Sequence, residues 1–141
     1  MKALRSLAVA GLVTASAAIL AGCSVDTLIW GPDGAQVIMT TEDLIQDLES
    51  EETSDLVCQD AEVHLGDHDD WNGISVGEPE RFVADFWKEQ VPLDPQWNIN
   101  LEGLPDGAVA GEEHPGDVFY RETDDGLCVI DVAWSTLIYA G

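Results

Sequence analysis

VFYRETDDGLCVIDVAWSTLI, residues 118–138, decides the fold. Two runs rich in β-branched and aromatic residues, Val118 to Glu122 and Leu127 to Ile138, bracket Thr123-Asp124-Asp125-Gly126. Asp and Gly adopt turn conformations that other residues resist, so an Asp-Gly turn between two such runs predicts a β-hairpin. Upstream, QWNINL (96–101) places Trp97, Ile99 and Leu101 on one side and polar residues on the other, the pattern of a half-buried strand.

Around these strands the pattern is helical. Thr40 or Thr41 caps a helix running through Leu48, with Glu42 or Asp43 in its first turn and Leu44, Ile45 and Leu48 as its apolar stripe. Glu78-Pro79 opens a second helix reaching Glu89. Phe82, Val83, Phe86 and Trp87 there share one face. Leu56 to Leu65 reads as a strand, or as a helix starting after Ser54. Gly31-Pro32-Asp33-Gly34 is a turn, and the segments Gly66 to Gly77 and Gly103 to Gly116 are loops. The expected class is α+β, a small antiparallel sheet with one or two packed helices. This element order resembles the cone-shaped NTF2-like and cystatin-like folds, a likeness that implies no function.

The N-terminus carries an address. MKALR is basic, and SLAVAGLVTASAAILA (6–21) has no charge, the plan of a secretory signal. This run is shorter than the about 20 residues a spanning helix needs. Leu20-Ala21-Gly22-Cys23 resembles the lipobox of bacterial lipoproteins. The resemblance covers the first 23 residues only. It implies cleavage before Cys23 and a diacylglyceryl group on its sulfur, with acylation (palmitate, for example) of the new amino group. It divides the chain into a signal peptide (1–22), a lipidated N-terminus with a short tether (23–40) and one extracytoplasmic α+β domain (41–141). Val25, Leu28, Ile29 and Trp30 have two options there: to pack on the domain or to rest at the membrane interface.

After cleavage, three basic residues (Arg81, Lys88, Arg121) face 28 acidic ones, a net charge of about −25. Nucleic acid is excluded as a partner, because binding it requires Lys and Arg to replace counterions. An anionic membrane surface repels such a domain beyond its anchor. The acidity reads as a solvated face that salt screens diffusely. Five tryptophans argue against a disordered acidic segment.

If Cys23 is lipidated, Cys58 and Cys128 remain as a pair in an oxidising compartment, expected to be bonded, the alternative being two buried thiols.

The densest polar cluster is HLGDHDDWNG (64–73). Calcium needs several oxygens converging from a bent loop. Asp67, Asp69, Asp70 and Glu78 are the candidate ligands, yet both frames of the EF-hand pattern fail. From Asp67, Trp71 and Asn72 stand where an oxygen ligand and Gly are needed. From His68, Pro79 stands where the last carboxylate is needed. Trp71, in a polar loop, is the candidate for stacking on a ligand. Trp87, Trp97 and Trp134 read as core. Neither a nucleophile motif nor an informative carboxylate pair appears, and no cofactor is implied.

The expected function is a lipid-anchored cell-envelope protein on the extracytoplasmic face, binding or assisting an envelope protein or glycan rather than acting as an enzyme. The alternatives are a small enzyme or metal-dependent module using the His64 to Asp70 loop, and a structural acidic coat protein.

Overall fold

The computed structural model describes residues 25–52 and 54–138; the lipobox and Cys23 lie outside the described residues. One helix, α1 (Val25–Glu49), packs on a four-stranded antiparallel sheet of β1 (Ser75–Arg81), β2 (Trp97–Glu102), β3 (Glu113–Thr123) and β4 (Gly126–Thr136). The strands follow one another in sequence order, an open meander. The fold is α+β, as expected. Among the described residues no helix is long and apolar enough to cross a membrane.

The hairpin forms where its turn chemistry places it. Thr123 pairs with Gly126, leaving Asp124 and Asp125 between the strands. The Thr123 hydroxyl donates to the Gly126 carbonyl at 2.8 Å and accepts from the Asp125 N–H at 3.3 Å. Strand β2 matches its expected apolar side, with Trp97 and Ile99 buried and Leu101 half-buried, but Asn98 on the other side is buried as well.

The helix is longer than its sequence signal. It starts near Val25 and bends at Gly31, whose φ of 74° lies in the left-handed region that glycine enters without a steric cost. Pro32 follows, suited to a first turn because it has no N–H to leave unpaired. From there Val37, Ile38, Thr41, Leu44 and Ile45 form one buried stripe. Residues 34–38 are therefore part of the packed domain, not a tether, and its boundary moves back from 41 to the kink. Nor do the threonines cap the helix. Thr40 Oγ1 donates to the Gln36 carbonyl at 2.8 Å, and Thr41 Oγ1 donates to that of Val37 at 2.7 Å. With its one proton so used, Thr41 Oγ1 accepts from the Tyr120 hydroxyl at 2.7 Å, joining helix to sheet. Burial pushes the Tyr120 phenol up, so it stays a protonated donor.

Two apolar clusters flank the sheet. Between helix and sheet lie Val37, Leu44, Trp71, Ile99, Val118, Tyr120 and Val129. On the opposite face Phe119, Ile130 and Cys58 gather Phe82, Trp87 and Leu93. Successive strand residues point to opposite faces, so Val118 and Tyr120 enter the first cluster while Phe119 enters the second.

The second face explains the largest departure from the sequence reading. Residues 78–89 do not form a helix. Glu78 to Arg81 belong to β1, with Pro79 just after a register shift that follows Val76. Proline is tolerated there because β1 is an edge strand and the shift relieves the ladder. Residues 82–93 form a chain of turns, with backbone bonds from Phe86 to Val83, Gln90 to Trp87 and Leu93 to Gln90. These lay Phe82 and Trp87 edge-on against Phe119, with ring centroids 6.1 and 4.9 Å away. Phe86 and Val83 stay exposed. An exposed sheet face needed cover, and an irregular segment supplies it.

The expected strand at 56–65 reduces to one parallel bridge, Val57 to Val129. Cys58 and Cys128 are bonded, with Cα atoms 4.9 Å apart. Arg121 reinforces the same segment, its Nη1 lying 3.0 Å from Asp60 Oδ2 and its Nη2 donating to the Leu93 carbonyl. The Arg121 guanidinium holds the Asp60 carboxyl below the usual carboxylate range.

Candidate functional site

The acidic loop folds as a capped turn. His68–Trp71 is one turn of 3-10 helix, begun by the Asp67 N–H donating to Asp70 Oδ2 at 2.8 Å. His68 lies between two carboxylates, with Nδ1 3.2 Å from Glu51 and Nε2 3.0 Å from Asp69. Asp69 Oδ1 also accepts from the Asn72 amide at 3.4 Å. Glu78 is exposed on β1, its N–H donating to the Asn100 side chain at 2.8 Å. Asp69 and Asp70 each hold a local partner, and among the described residues no group of three His, Cys, Asp or Glu side chains could hold a metal ion. The four candidate ligands are not brought together.

Trp71 is buried, not presented to a ligand. Its side chain is fully enclosed in the main core, and its Nε1 donates to the Leu65 carbonyl at 2.7 Å. The turn that looks polar in sequence serves to insert this indole. The reading of Trp71 as a stacking platform is therefore corrected. Trp97 is core as expected, whereas Trp87 and Trp134 are only partly buried. Trp134 Nε1 donates to the His64 carbonyl, and its ring tilts against His64 at 5.0 Å.

The surface beside this loop is concave and acidic. An open cavity of about 410 Å³ has Asp69, Asp70, Asp106, Glu112, Glu113 and His114 on its walls. A second, of about 460 Å³, shares Asp70 and Glu113 and reaches Trp134. Both are open and rich in carboxylates, with a smaller apolar share that includes Leu137 in the first and Val63, Leu65 and Trp134 in the second.

One arrangement had no sequence signal beyond its strand positions. Arg81 faces Trp97 across the β1–β2 ladder, its guanidinium 3.9 Å from the ring centroid. It bonds Asp33 at 3.3 Å and Glu122 at 3.0 Å, and Glu122 also accepts from the Trp97 indole at 2.8 Å. The cluster ties the helix kink to the hairpin, a structural role for one of the three Lys and Arg side chains among the described residues.

The most perturbed carboxylate is also one the sequence did not single out. Asp117, on β3, has its pKa raised to about 6, by burial first and by Glu80 second, against a hydrogen bond from Asn98 that lowers it. Folded, this group holds its proton more tightly than in the unfolded chain. Its favourable contribution is complete below about pH 4 and is lost as pH rises through about 6. Ionised Asp117 therefore weakens the fold at neutral pH. Asp117→Asn is expected to raise stability at pH 7.5 by about 1–2 kcal/mol, after discounting the full shift for partial exposure. The gain should shrink toward pH 4. Urea midpoints of both proteins across that range check it, and a pH-independent difference would contradict it.

In comparisons with known proteins the chain matches no family model, no curated protein and no solved structure.

Proposed function

We propose that this chain is a bacterial lipoprotein, an acidic domain tied by Cys23 to the extracytoplasmic face of the cell membrane, where it binds or assists another envelope component, a protein or a glycan. The observation that carries the reading is Leu20-Ala21-Gly22-Cys23, placed at the end of an uncharged run behind a basic start. The two acyl chains on one cysteine suit the anchor: each buried CH₂ contributes about 0.8 kcal/mol, and one chain alone holds only marginally. The disulfide supports it, because such bonds persist in oxidising compartments outside the cytoplasm. A domain of about −25 has little affinity for an anionic leaflet and needs such an anchor.

The alternative of a small enzyme or metal module at the His64 to Asp70 loop requires that loop's side chains to converge on a substrate or ion. The partners of His68, Asp69 and Asp70 within the turn argue against it.

Cys23→Ser is expected to abolish lipid labelling and leave the protein either unprocessed or released from membranes. Metabolic labelling with a fatty acid and fractionation of the cells read both. A variant that is still lipid-labelled and correctly cut would overturn the proposal.

A further inference from the structure

We infer that Val25, Leu28 and Ile29 form a membrane-contact face, seated in the headgroup boundary of the leaflet that holds the Cys23 lipid; this rests on the lipoprotein reading above. The three stand at i, i+3 and i+4 of the first segment of α1, the spacing of one helix face. Their exposures of 69%, 75% and 62% show that the domain does not cover them. Trp30, next in sequence, packs instead against the main core. Of the two options open to these four residues, the tryptophan takes the domain and the three aliphatics are left facing outward.

Position names the occupant. Val25 is two residues beyond Cys23, so even a fully extended link separates their Cα atoms by about 7 Å. A lipidated Cys23 therefore keeps this face at the bilayer surface. Residues 25–32 contain one acid, Asp26. The stretch beside the anchor therefore meets little repulsion from an anionic surface. An amphipathic helix in this setting lies in the interface with its apolar side buried about 5–10 Å. Gly31 lets the segment run in its own direction, separate from the buried stripe of residues 34–45.

The test uses the mature lipidated protein. Leu28→Cys is labelled with a nitroxide and reconstituted in phosphatidylcholine vesicles. Cys58 and Cys128 are bonded to each other, and the Cys23 sulfur carries its lipid, so position 28 is the labelling site. Its collision rate with oxygen relative to a water-soluble nickel chelate is expected to exceed several-fold that of a label at Glu42→Cys, an exposed position beyond the kink. Equal ratios in protein that floats with the vesicles overturn the inference and leave the anchor standing. Protein that carries no lipid overturns both. A position 28 label that is water-exposed on pure vesicles but shielded in native envelopes also overturns it, and gives the face to a protein partner.

Discussion

Replacing both Cys58 and Cys128 by alanine is expected to cost about 4 kcal/mol of folding stability. The bond spans 70 positions of sequence, and in the chain-entropy model its main effect is to restrict the unfolded ensemble. Cys58 is buried in the cluster around Phe119, so some packing is lost as well. Alanine is the suitable replacement, because a serine at position 58 would bury a hydroxyl. Small domains have stabilities of about 5–15 kcal/mol, so a loss of this size leaves a marginal fold. Urea denaturation of the oxidised wild type and the double variant measures it. A loss under about 1 kcal/mol would mean that the Val57–Val129 bridge and the Arg121–Asp60 pair hold the segment unaided, and that the unfolded chain is already restrained.

Trp71→Ala should cost a comparable amount, about 3–5 kcal/mol. The ring is wholly enclosed, and truncation leaves a cavity between α1 and the sheet that side chains such as Leu44, Ile99 and Val118 cannot all close. Trp71→Phe separates the two contributions. It keeps most of the apolar contact but leaves the Leu65 carbonyl without its donor, which costs about 1–3 kcal/mol. Urea midpoints order the three proteins. A Trp71→Ala variant as stable as wild type would restore the surface-platform reading of this residue.

The parts of the fold that were legible are those specified locally. An Asp-Gly turn between two β-rich runs fixes a hairpin without reference to the rest of the chain. The alternation of Trp97, Ile99 and Leu101 fixes a face. The helix core at Leu44 and Ile45 was equally plain, but its first half was hidden by Gly31, Pro32 and Gly34, residues that usually mark a turn. Here they bend a helix that packing sustains on the far side. The segment from Phe82 to Trp87 misled for the opposite reason: its spacing satisfies a helical face, yet the aromatic groups needed are two, Phe82 and Trp87, set against Phe119. Sequence period cannot reveal that a sheet's second face will be covered by turns. Trp71 escaped because a lone indole inserted by one short turn has no periodicity to betray it. As for the site, the acidic loop was visible as composition. Which of its carboxylates are engaged by the turn depends on backbone geometry that composition does not carry, and Asp117 owes its raised pKa to cross-strand neighbours far away in sequence.

The two margins of the sheet have a consequence if the proposed lipid anchor holds the domain on a surface. An anchored domain is confined to two dimensions, where copies meet often and in similar orientations. A free strand margin would then template a neighbour's strand and start a polymer. One margin, β1, presents Glu78, Glu80 and Arg81 to solvent, with its ladder interrupted by a register shift and by a proline that has no N–H to offer. The other, β4, is partly occupied by residues 56–58, held through the Val57–Val129 bridge and the disulfide. A fifth strand finds an irregular, charged register on one side and one blocked at Val129 on the other, both of which disfavour strand pairing between crowded copies.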